Sequence, residues 1–115
     1  MNLDQLRQFA LSLPESMEEP HFHFTSFRVR GKIFATVPPE GDSLHVFVDD
    51  DCRERFLALY PHAGEKLWWG KKVAGLKVKL GLARKYDAVL KDLVRNAWTR
   101  KAPAALRKAV AKREE

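Results

Sequence analysis

Cysteine is almost absent from this chain. Cys52 stands alone among 115 residues, so no intrachain disulfide can form, and nothing points to an oxidising compartment. Long apolar runs are missing too. None approaches the roughly 18 residues needed to span a bilayer. The segment from Met1 to Pro14 has no basic stretch leading into an apolar one. Asp4 and Arg7 sit inside an amphipathic pattern there, which reads as a helix of the fold rather than a signal peptide. A cytoplasmic protein is therefore the default expectation. There are no internal repeats, no low-complexity tract and no long linker. The motifs of common enzyme classes are also lacking: no Ser-His-Asp order, nucleophile elbow, phosphate-cradling glycine loop or HExxH. Helix-turn-helix and zinc-finger patterns are absent. The expectation is a protein that is not an enzyme and needs no cofactor.

What is present is ordinary globular material with an uneven charge. Hydrophobic residues make up 45% and aromatics 10%, enough for a core without staples. The length suits a single domain over residues 1–115. Residues 1–65 hold 6 Lys and Arg against 11 Asp and Glu. Residues 66–115 hold 15 Lys and Arg against 4 Asp and Glu. A split of this size points to an anionic partner for the second half. Solubility alone is the plainer reading of the same charge.

Periodicity supplies the elements. Leu3, Leu6, Ala10 and Leu13 share one helical face, with Asn2 as cap and Pro14 as stop. Glu15 to Pro20 reads as an acidic loop. Phe22 to Arg30 and Ile33 to Val37 read as strands around a Gly31-Lys32 loop of type II′. That register would pair Val29 with Phe34 and Arg28 with Ala35. Phe27, Val29 and Phe34 would then face one way, Arg28 and Arg30 the other. Leu44 to Val48 is a third strand. The run Asp49-Asp50-Asp51 opens a helix reaching about Tyr60, its carboxylates matching the helix dipole. Cys52 lies on that helix's apolar edge and reads as a small core residue.

Lys66 to Trp69 and Val73 to Leu80 are two more strands, joined by Gly70-Lys71-Lys72. In the second, Ala74, Leu76, Val78 and Leu80 alternate with an open face carrying Lys77 and Lys79. The firmest helix runs from Arg84 to Arg100, where Tyr86, Val89, Leu90, Leu93, Val94, Ala97 and Trp98 recur at three-four spacing. A last helix, Ala104 to Lys112, turns Leu106 and Val110 inward and Arg107, Lys108, Lys112 and Arg113 away. The order is helix, antiparallel strands, helix, strands, helix. It predicts an α+β two-layer sandwich, an antiparallel β-sheet with helices on one face.

The candidate chemistry is mostly basic. Lys71, Lys72, Lys77 and Lys79 ride one hairpin, Arg28 and Arg30 another. Such residues neutralise phosphates and release counterions. Arg28 has a structural alternative, pairing with the Glu15–Glu19 segment to hold its hairpin. Trp68 and Trp69 can stack on unpaired bases where exposed. Adjacent strand residues face opposite ways, so one of the two is expected to be buried. His21 and His23 would share a strand face near Glu19. Zinc needs further ligands, and His45, His62 and Cys52 lack the spacing to supply them. No metal site is expected.

Several runs carry a family resemblance. They are Pro20-His21-Phe22, Ser26-Phe27-Arg28-Val29, Gly31-Lys32-Ile33-Phe34-Ala35 and Trp69-Gly70 followed by Val73 to Leu80. Asn96-Ala97-Trp98 with Ala102-Pro103 and Ala105-Leu106 completes the set. Together they resemble the MmcQ/YjbR family over roughly Leu3 to Val110. The resemblance implies a CyaY-like (frataxin-like) α/β sandwich and a "double wing" arrangement described as DNA-binding. It also raises iron binding of the frataxin type. The first helix offers only Asp4 where an acidic ridge is needed, which counts against iron. The expected function is DNA binding, largely without sequence preference and mainly through phosphate contacts at Arg28, Arg30, Lys71, Lys72, Lys77 and Lys79. The alternative is a protein- or small-ligand-interaction domain with no nucleic-acid role. An acidic protein partner would then meet the basic surface, and Phe22, Phe24 and Trp68 would matter more than the lysines.

Overall fold

The computed structural model describes residues 1–114, with side chains as far as residue 112, so the outward placing of Arg113 lies outside the side chains described. Helix α1 spans Leu3–Ser12. Asn2 Oδ1 accepts from Gln5 N at 2.8 Å, and Gln5 Oε1 accepts from Asn2 N at 3.0 Å. This reciprocal cap satisfies two amide donors that a helix start leaves free. Four strands follow: β1 Ser16–His21, β2 Phe24–Val29, β3 Lys32–Val37 and β4 Ser43–Val46. Helix α2, Asp50–Leu59, leads to the hairpin of β5, Gly64–Trp69, and β6, Lys72–Lys79. A 3₁₀ turn over Arg84–Tyr86 leads into α3, Asp87–Lys101, and α4 covers Ala104–Glu114.

All six strands form one antiparallel sheet in the order β1-β2-β3-β4-β6-β5. The helices cover one face and bury a continuous core. Leu6 and Ala10 of α1, Phe56 of α2 and Leu90, Leu93, Val94, Ala97 and Trp98 of α3 meet Phe27, Val29, Phe34, Leu44, Val46, Leu76 and Val78 of the sheet. This is the two-layer α+β sandwich that the patterning predicts. Burying a Leu, Val or Phe side chain contributes about 1.5–3 kcal/mol, so this face dominates stability. Trp98 Nε1 donates to the Pro14 carbonyl at 3.0 Å and ties α3 to the end of α1.

Four local expectations need correction. Glu15 to Pro20 is not a loop, because Ser16–His21 forms the edge strand β1 along β2. Pro20 is tolerated there since an edge residue needs no donor toward solvent. The chain turns at Phe22-His23, so β2 begins at Phe24, and His23 leaves the strand that was to place it beside His21.

The β2–β3 loop is Arg30-Gly31, not Gly31-Lys32. Val29 pairs with Lys32, and both loop residues lie in the left-handed region, at φ +50° and +82°. Two positive φ values match a type I′ turn, whose twist suits a right-twisted hairpin. A bulge between Phe27 and Arg28 makes Phe34 the extra residue of β3. The bulge restores the alternation, and Phe27, Val29 and Phe34 are all buried as the patterning requires.

The tryptophan pair also departs from expectation. Trp68 and Trp69 are 55% and 64% exposed, so neither is core. A register shift between Leu67 and Trp68 reorients this end of β5. Phe56 of α2 packs beside Gly64, at the opposite end of the strand, so it does not shield the tryptophans.

Candidate functional site

The sheet face away from the helices is built by strand alternation. Pairing lines up Glu19, Ser26, Thr36, His45, Lys77 and Glu65 in one row, one residue per strand. Because every neighbour is antiparallel, the tips of the β2–β3 and β5–β6 hairpins leave the sheet at the same end. Between them β4 is short and stops at Val46. Phe47 and the C-terminal end of α3 close the notch that remains, with Arg100 Nη1 donating to the Phe47 and Val48 carbonyls at 3.2 and 3.0 Å.

A cleft of about 520 Å³ crosses this face from the β1–β2 turn to the β5–β6 hairpin. Its volume falls in the size class of small-ligand sites. Phe22 and Phe24 line one end. Trp69 lines the other, its ring 5.1 Å from that of Phe47. Phe22 is 89% exposed and sits at φ +57°. A bulky side chain in the left-handed region is strained, and such strain collects where function demands it.

His45 lies in the floor, 5.9 Å from Phe24 between ring centroids. Its Nε2 is shut off from water and has no hydrogen-bond partner. Burial, then the charge of Lys77, pushes the His45 pKa down, which keeps the imidazole neutral near pH 7. Lys72, Arg100 and Lys101 complete the lining with positive charge. Lys101 Nζ stands 6.0 Å from the Phe47 ring centroid. Burial, then the charges of Arg100 and Lys32, holds the Lys101 pKa below the ordinary lysine value. Cations crowded this way are relieved by an anion.

The residues expected to bind fall into three groups. Arg28 lies on the open face, its Nε donating to Ser26 Oγ at 3.2 Å and lying 3.6 Å from Glu19. Arg30, at the β2–β3 tip, donates from Nε and Nη2 to the two oxygens of Glu15 at 2.7 and 2.9 Å. Both arginines therefore share their charge with a carboxylate of the acidic segment. Lys71 stands at the β5–β6 tip and Lys72 on the cleft. Neither has a carboxylate within 4.0 Å among the described residues. Lys77 and Lys79 sit further along β6, around a second hollow shared with Asp42 and His62. There Lys77 Nζ is 4.0 Å from Glu65.

Arg100 and Lys101 were not singled out from the sequence. The available signal was a basic pair in the last helical turn, which suits the helix dipole anywhere. Only the fold shows that this turn reaches around the end of β4. Cys52 is half-buried against the core, and burial, then Asp49, raises its thiol pKa away from the reactive thiolate. Among the described residues no group of three or more His, Cys, Asp or Glu is placed to hold a metal. The chemistry on offer is stacking and charge pairing.

These features define a two-layer α+β domain whose uncovered sheet face is aromatic and basic. A family model described as YjbR matches residues 11–100, and the chain belongs to that family. Among solved structures, the crystal structure of Deinococcus radiodurans protein DR2400, family-model domain DUF419, is similar with a TM-score of 0.75. The match covers 96% of this chain and 88% of that one at 20% identity, a level at which the shared property is the fold. No curated protein matches significantly. Among the described residues no helix is long and apolar enough to cross a membrane.

Proposed function

We propose that this chain is a non-enzymatic, cytoplasmic nucleic-acid-binding module that holds DNA through phosphate contacts on the open sheet face. The observation that carries this reading is where uncompensated charge remains. The carboxylates Glu15, Glu18 and Glu19 are engaged by Arg30, Arg7 and Arg28. Lys71, Lys72 and Lys79 have no such partner among the described residues, and they lie on the β5–β6 hairpin, Lys71 in its turn and the other two on β6. Lys71 and Lys72 would straddle a backbone from the β5–β6 tip, with Arg30 opposite them on the β2–β3 tip. Lys77 and Lys79 extend the track along β6. Nothing in this set reads base edges, so affinity should be largely independent of sequence.

Fluorescence anisotropy of labelled DNA at about 50 and about 200 mM salt tests this. Four lysines on phosphates give a log–log salt slope of about −3.6 for duplex, a loss of about 150-fold over that range. Lys77→Glu and Lys79→Glu should each weaken binding uniformly across sequences and flatten the slope by about one. Absence of binding at low salt sinks the proposal. Binding of an acidic protein that survives the lysine changes but fails when Phe22, Phe24 or Trp68 is replaced would put a protein partner in its place.

A further inference from the structure

Phosphate tracking needs exposed cations and leaves the aromatic cleft unexplained. We infer that this cleft takes the unpaired bases of single-stranded DNA, an inference that rests on the nucleic-acid reading above and narrows it to one substrate class. Phe22 and Phe24 stand at one end of the cleft and Trp69 at the other, all three rings reachable from solvent to different degrees. In a duplex the base faces are already stacked on each other, leaving only edges and phosphates for a protein. An unpaired strand offers its base faces, and aromatic side chains accept them with little sequence preference.

Charge complements the rings. Lys72, Arg100 and Lys101 lie along the same cleft, so cations are available to the phosphates between stacked bases.

The test is anisotropy of one labelled oligonucleotide, free and annealed to its complement, against wild type, Phe24→Ala and Trp69→Ala. Trp69 is 64% exposed, so its replacement leaves the core intact even where Phe24→Ala perturbs folding. The single strand should bind more tightly than the duplex. Each ring removal should cost the single strand roughly 5- to 150-fold in affinity and leave the duplex nearly unchanged. Equal binding of both forms, or a single-strand preference that neither ring removal diminishes, overturns the inference and leaves the phosphate module standing. No binding of either form overturns both.

Discussion

At the entry to α2, the carboxylate of Asp49 serves two partners. Oδ1 accepts from Cys52 N at 2.8 Å, and Oδ2 accepts from Asn96 Nδ2 at 3.0 Å. Asn96 Oδ1 in turn accepts from Asp49 N at 3.1 Å, so one reciprocal contact caps α2 and clamps it to α3. The Cys52 amide first, then Asn96, holds the Asp49 pKa below its ordinary value. A depressed carboxylate pKa stabilises the fold above the unfolded value, and that contribution is lost as pH falls through the folded one. Asp49→Ala should cost about 1–2 kcal/mol in neutral urea denaturation. The deficit should shrink in acid, where the wild-type carboxylate is also protonated. A deficit unchanged by acid would mean that the charge is irrelevant to the cap.

Elements differed in how far the sequence disclosed them, and the reason lies in what stabilises each. Helix α3 was legible because its stability comes from one buried stripe, and Leu90, Leu93, Val94, Ala97 and Trp98 are all in the core. Strand β6 was legible for the same reason, with Leu76 and Val78 in and Lys77 and Lys79 out. Strand β1 was not. It is held by backbone pairing to β2, and its residues Met17 to His21 are exposed, so no apolar alternation marks it.

The turn at Arg30-Gly31 was hidden by its ion pair. Arg30 replaces the Asn or Gly that usually signals type I′, and the Glu15 that grips it is itself at φ +55°. The aromatic cleft was hidden further still, since it draws on the β1–β2 turn, the end of β5 and the last turn of α3. Gly75 gives a test at this scale. A Cβ there would lie 2.3 Å from the Val46 carbonyl oxygen and 3.0 Å from Phe47 Cα, both backbone atoms. Gly75→Ala should destabilise by about 1–3 kcal/mol through overpacking, measured by thermal or urea unfolding. An unchanged midpoint would show that β4 and β6 can part freely where the cleft begins.

Across the whole molecule, the charge split of the sequence becomes a division of labour in space. The acidic segment along β1 compensates Arg7, Arg28 and Arg30, while Lys71, Lys72 and Lys79 of the β5–β6 hairpin have no carboxylate partner among the described residues. This division can be altered with one change. Glu15→Gln frees Arg30 at the β2–β3 tip and should steepen the salt slope of DNA binding by about one unit. An unaltered slope would confine Arg30 to holding its turn.

The sheet also has two rims, and each is guarded. Along β1 run Glu18, Glu19 and Pro20, and along β5 run Glu65 and Lys66 ahead of the register shift at Leu67 and Trp68. Charges, a proline and an irregular rim deny an incoming strand the straight template it needs. A molecule can therefore leave an entire face bare without becoming a seed for fibril growth, because stacking of copies through their rims has nowhere to begin.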